Sequence, residues 1–124
     1  MQGKTSAAIG LNNRIYGKYG FAAGKNNKVG YNDYTFGKDN DFSQVQVAFG
    51  AGTRLHAGRS SSSPVMFGYD LYAGNVDKFI PVQFITGFFN KNKSKTVFEV
   101  GAGHSESLRK NAFSVDRYGQ VFAD

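Results

Sequence analysis

Two histidines, nine carboxylates and no cysteines are the chain's whole stock of catalytic and metal-ligating groups. His104-Ser105-Glu106 brings base, nucleophile and acid types together, but adjacent loop residues do not make the oriented relay a hydrolytic triad needs. His56 and His104 stand in turn-like contexts, and no spacing sets two histidines beside a carboxylate as a metal site requires. The absence of cysteine excludes disulfides and thiolate ligands. Gly50-Ala51-Gly52 and Gly101-Ala102-Gly103 invite comparison with phosphate-binding loops, yet neither continues into a helix whose N-terminus could hold the phosphate. Both read as turns. Carboxylates meeting across chains would be the one route to glycoside cleavage. The expected function is therefore non-enzymatic, with no metal and no cofactor.

Binding chemistry is better supplied. Tyr16, Tyr19, Tyr31, Tyr69 and Tyr72 could stack on sugar rings, with Asn and Arg nearby for hydroxyls and anionic groups, or could pave contacts between chains. Arg54, His56 and Arg59 form a local basic group beside the serine run Ser60-Ser61-Ser62-Ser63. Together with Tyr69 and Tyr72 they make the candidate ligand surface. The formal charge is +6, spread along the chain. It suits a solvated surface, or long-range attraction to anionic polymers such as teichoic acid, lipopolysaccharide phosphates or acidic glycans. Nucleic acid is not expected as a partner, because the basic residues form no single stripe or recognition helix. Membrane insertion is not expected either, since no apolar stretch approaches the roughly 18 residues of a span. The N-terminus MQGKTSAAIG lacks the apolar core of a secretory signal. Met1 begins abruptly at a repeat, as an excised segment would.

The elements that must position these groups follow from the glycines. Sixteen glycines against two prolines suit many tight turns, and 15% aromatics without tryptophan suit pleated surfaces. Aligned on glycine, a unit recurs. Ser6-Ala7-Ala8-Ile9-Gly10-Leu11-Asn12-Asn13 is followed by Gly20-Phe21-Ala22-Ala23-Gly24-Lys25-Asn26-Asn27 and Asp33-Tyr34-Thr35-Phe36-Gly37-Lys38-Asp39-Asn40. Gln46-Val47-Ala48-Phe49-Gly50-Ala51-Gly52-Thr53 comes next, then looser copies at Pro64–Asp70 and Gln83–Asn90. The turn glycines Gly10, Gly24, Gly37, Gly50, Gly68 and Gly87 are thus spaced 14, 13, 13, 18 and 19 residues apart. Hairpins would not return the same residue classes so regularly, and a hexapeptide helix would need multiples of six.

Positions three and one before each glycine share a strand face, and the residue between them points the other way. That middle row is Ala8, Ala22, Thr35, Ala48, Met66 and Ile85, mostly small, which permits close approach of another layer or chain. Asn and Asp after the glycine suit a left-handed turn position. A second apolar position lies five residues after the glycine, at Ile15, Val29, Phe42, Leu55 and Ala73. Two short strands and two turns per coil predict a solenoid in which each unit covers its neighbour's edge. Residues 1–58 hold the regular repeats, and 59–94 are irregular coils carrying insertions at Arg59–Ser63 and Gly74–Lys78. Residues 95–124 read as a strand, a polar loop and a hairpin whose turn, Asp116-Arg117-Tyr118-Gly119, places Gly119 at its left-handed position. All three form one continuous domain.

The first two units resemble the head repeat of trimeric autotransporter adhesins of the YadA type. Phe84–Asn90, Val97–Gly103, Arg109–Asp116 and Gly119 look like the C-terminal part of head-like modules in bacteriophage tail fibres and baseplate proteins. The resemblance implies an all-β, left-handed parallel β-roll closed by a small β-rich hairpin module, three copies of which associate as a homotrimer. It implies a location on the virion tail, extracellular, or alternatively on the bacterial cell surface. The implied partners are a cell-surface glycan or other host receptor and the rest of the fibre or baseplate. A lone narrow roll is marginal by its own core, since each ordered residue costs about 1–2 kcal/mol and each large buried side chain yields roughly 1.5–3 kcal/mol. An adhesin head binding host matrix, and a spacer that binds nothing, are the other readings of the same fold.

Overall fold

A computed structural model describes residues 5–59, 61–74, 80–93 and 95–123. Among these every regular element is a strand, and the strands form two sheets. Each of the first five coils gives one strand to each sheet, and like pairs with like. In the longer sheet β1 (Ala7–Leu11), β3 (Phe21–Lys25), β5 (Tyr34–Lys38), β7 (Phe49–Thr53), β9 (Ser61–Tyr69), β11 (Ile80–Phe88) and β12 (Thr96–Ala102) lie parallel in that order. Opposite run β2 (Arg14–Ile15), β4 (Lys28–Tyr31), β6 (Asp41–Gln46), β8 (His56–Ala57) and β10 (Tyr72–Ala73), also parallel. The chain is a β-solenoid of about six turns. β13 (Asn111–Asp116) and β14 (Val121–Ala123) then add antiparallel strands to the longer sheet, forming the expected hairpin with Gly119 at φ 81°.

Strand alternation decides which side chains meet inside. Ala22, Thr35, Gly50, Met66, Ile85 and Glu99 occupy one row of the longer sheet and are all buried. Ile15, Val29, Phe42, Ala57 and Ala73 face them from the short strands, and the apolar members form two contiguous clusters. The small-residue row, expected to admit a neighbouring layer or chain, admits the facing sheet and so makes the core of a thin roll. Its flanking rows, with most of the phenylalanines, face outward.

The repeat register also differs in one place. The glycine ladder runs Gly10, Gly24, Gly37, Gly52, Gly68, Gly87 and Gly101, so Gly52 takes the position expected for Gly50. Strand β6 is the cause. It carries a bulge between Val29 and Tyr31 of its neighbour, and the chain returns to the longer sheet two residues later than a simple count allows. Gly50 is an inward residue, and a Cβ there would overlap the Phe42 ring. Leu55 likewise moves into the row of Asn27 and Asn40, leaving its expected place to Ala57. At the ladder positions glycine is required twice over. At Gly37, φ is 125° and an added Cβ would overlap the Gly52 carbonyl oxygen.

Two residues beyond each of the first six ladder glycines stands a left-handed residue: Asn12, Asn26, Asp39, Arg54, Asp70 and Phe89, with φ between 43° and 57°. One step further, asparagines stack inside. The Asn27 side chain accepts nothing from its own coil but receives the Asn40 backbone N–H at 3.2 Å, and donates to the Gly37 and Ala23 carbonyls at 3.0 and 3.2 Å. Asn40 repeats this toward Leu55, at 2.9 Å. Lower down, Asn90 donates to the Tyr72 carbonyl at 3.0 Å and accepts its N–H at 2.8 Å. A side-chain amide thus takes the place of a next strand at the edge of β10. The roll's interior ends there on Glu99, which receives Asn90 at 2.7 Å, the Lys93 N–H at 3.0 Å and the Thr96 hydroxyl. Burial raises the Glu99 carboxyl above its usual range, against those hydrogen bonds.

Candidate functional site

Stacking of coils brings four of the five expected ligand residues together. Arg54 and Asp70 are successive members of the left-handed row, and their side chains pair directly. Arg109, from the loop before β13, reaches the same carboxylate through its other oxygen and donates to the Asp70 carbonyl at 2.8 Å. Asp70 is only 2% exposed, so two guanidiniums compensate one buried charge. Glu106 stands 3.8 Å from Arg54.

Aromatic rings frame this ion cluster. Arg54 lies 5.1 Å from the centre of the Tyr69 ring, and Arg109 lies 4.2 Å from that of Tyr72. The His56 and Tyr72 rings are 5.5 Å apart, as their pairing on β8 and β10 dictates. Burial pulls the Arg109 guanidinium below its ordinary range, opposed by Tyr72 and Glu106. An open cleft of about 220 Å³ results, lined by Asp39, Asp41, Arg54, His56, Tyr72 and Glu106 among others.

The cleft is not the basic patch that Arg54, His56 and Arg59 suggested. Asp39, Asp41, Asp70 and Glu106 set four carboxylates there against the two guanidiniums. Arg59 is exposed in the turn after β8 and does not line the cleft. Asp70, Glu106 and Arg109 were missing from the expected set. Asp70 becomes legible only with Gly52 in the ladder, since it follows Gly68 by the two residues that separate Arg54 from Gly52. Arg109 carries no such signal, because it arrives from a different part of the chain. Histidine and serine at 104 and 105 do not assemble a relay: the Ser105 hydroxyl pairs with Ser107 at 3.1 Å, and His104 is exposed. Among the described residues no group of three or more His, Asp and Glu is placed to hold a metal ion.

A second feature covers the outer face of the longer sheet. Phe21, Phe36, Phe49, Phe67, Phe84, Phe98 and Phe113 make a continuous file, with neighbouring ring centres 5.2–5.9 Å apart. From Phe21 to Phe84 they alternate between two outward rows, and Phe98 then stacks on Phe84 in the same row, so each ring leans on the next coil. Phe36, Phe49, Phe67 and Phe84 remain exposed, and Ile9 and Tyr34 extend the same rows. No protein-family model matches the chain, and no curated protein or solved structure matches it significantly.

Proposed function

We propose that this chain is a non-enzymatic segment of a homotrimeric fibre, of the kind found in phage tail fibres and baseplate receptor-binding proteins, and that it attaches to cell-surface polysaccharide. The exposed phenylalanine file carries the reading. A flat sheet face with so many large apolar side chains is a surface built to be covered. Three left-handed rolls around a common axis would cover it in a way that one roll cannot.

The cleft supports the polysaccharide reading, and such packing leaves it outward because Tyr72 and His56 belong to the opposite sheet. The tilted pair of His56 and Tyr72 rings offers apolar surface for a sugar, and Asp39, Asp41 and Glu106 offer acceptors for hydroxyl groups. With carboxylates in excess, neutral or amino sugars suit it better than anionic ones. Three copies on one axis would raise weak single-site affinity by multivalency. The test is binding of the fluorescently labelled chain to whole bacterial cells before and after chemical removal of their surface polysaccharide. Binding that is lost on removal, and reduced in Tyr72→Ala, supports the proposal. Binding to no cell type, with no sugar retained on a glycan array, leaves a spacer and ends it.

A further inference from the structure

We propose a second ligand site at the C-terminal end of the roll, where Lys95 and Phe122 would hold an acidic saccharide. The inward row of the longer sheet does not stop with the roll. Ile85 pairs with Glu99, Glu99 with Ser114, and Ser114 with Phe122, so Phe122 points to the same side as the core. The opposite wall ends earlier, at β10. Phe122 therefore continues the core row with nothing of the facing sheet above it, and it is 41% exposed.

A pocket of about 340 Å³ opens over that ring, lined by Lys93, Lys95, Thr96, Asp116 and Phe122. Its volume is within the range of small-ligand sites. The surroundings are cationic. The Lys93 ammonium lies 5.5 Å from the Phe122 ring centre, and that of Lys95 lies 5.8 Å from the Tyr118 ring centre. Arg117 lies 5.1 Å from the Tyr118 ring centre and is tied back to Lys95 by its N–H, at 2.8 Å from the Lys95 carbonyl. Among the described residues of the lining Asp116 is the one carboxylate, and one of its oxygens is engaged by the Tyr118 and Gln120 N–H groups at 2.9 Å. The positive field shows on Tyr118, whose phenol is lowered from its usual range by the Arg117 hydrogen bond and by the Arg117 and Lys95 charges.

An aromatic floor with ammonium groups at its rim suits a sugar ring lying on Phe122 with a carboxylate reaching the cations. The site is independent of the acidic cleft at Tyr72 and of the opposite charge preference. It also lies on the face away from the phenylalanine file, so trimer formation through that file leaves it open.

The experiment is calorimetric titration of the full chain with hexagalacturonate, maltohexaose, poly(glycerol phosphate) and oligo-thymidylate, at low and moderate salt. Hexagalacturonate is expected to bind, more weakly as salt rises, and maltohexaose not to bind at this site. Lys95→Ala and Phe122→Ala should each weaken hexagalacturonate binding about tenfold, while Lys95→Arg retains it. Lys25→Ala and Lys38→Ala, on the phenylalanine face, should leave it unchanged. Unchanged thermal melting of the variants assigns the loss to the site. Retained hexagalacturonate binding in both pocket variants would overturn the proposal, and so would no binding at all. Poly(glycerol phosphate) or oligo-thymidylate binding as tightly, indifferent to Phe122→Ala, would also overturn it, because charge alone would then suffice. Tyr72→Ala must not affect this titration, which separates the result from the fate of the cleft.

Discussion

The side-chain oxygen of Asn27 accepts the backbone N–H of Asn40 from the next coil at 3.2 Å, while the Asn27 amide donates to Gly37 of that same coil at 3.0 Å. One carboxamide thereby serves the turn on both of its sides, in a place closed to water. The Asn13 oxygen treats Asn27 in the same way, at 3.1 Å from its N–H.

Asn27→Ala is accordingly expected to cost about 2–4 kcal/mol, because it strands buried N–H and C=O groups as well as removing bonds. Urea unfolding at fixed protein concentration measures it. A midpoint equal to that of the parent chain would mean that water replaces the amide.

Two glycines separate the effects of conformation and space. Gly37→Ala meets both a left-handed backbone and the Gly52 carbonyl, and should destabilise by about 3 kcal/mol. Gly119→Ala meets only the backbone, since nothing lies within 4 Å of the added carbon, and should cost about 1 kcal/mol. Equal losses in thermal melting would contradict the ladder's close spacing.

Val47 holds φ 60° while 58% exposed, a conformation its branched side chain disfavours. Neighbouring coils place Tyr19 and Asn32 at similar angles in the corresponding corners. Val47→Asn or Val47→Gly should therefore raise stability by about 1 kcal/mol. A lower melting temperature for both variants would show that Val47 makes contacts worth more than its strain.

Asp33 is fully buried, and burial raises its carboxyl to about 7 in spite of N–H bonds from Ala48 and Gly30 at 2.7 and 2.9 Å. The unfolded chain releases that proton near pH 4. Between about pH 4 and pH 7 the folded state then binds more protons than the unfolded one, so stability falls as pH rises and levels off above 7. Glu99 is shifted in the same direction. Melting temperatures across this range should decline, and Asp33→Asn should flatten the slope. A rise in stability from pH 4 to pH 7 that Asp33→Asn abolishes would reverse the assignment.

The coil repeat, the two strands per coil and the terminal hairpin are legible because glycine and asparagine mark the same turn each time. Gly50 was misplaced because a bulge in β6 lies between repeats, where no residue type announces it. Once the ladder is shifted to Gly52, Arg54 falls beside Asp70 and that pair, though not Arg109, becomes readable from the sequence. Alternation told which residues share a face but not which face is inside. Small residues line the core here because the roll is thin, and phenylalanines are outside because the space between its walls does not admit a ring at every rung.

The proposed trimer is the partner that would cover the phenylalanine file, so the mass of the native particle is the decisive quantity. Light scattering on the eluting peak at micromolar concentration should give about 40 kDa, three chains of 13.5 kDa, and Phe36→Lys with Phe67→Lys should reduce it to one. A folded parent chain at 13.5 kDa would contradict the account.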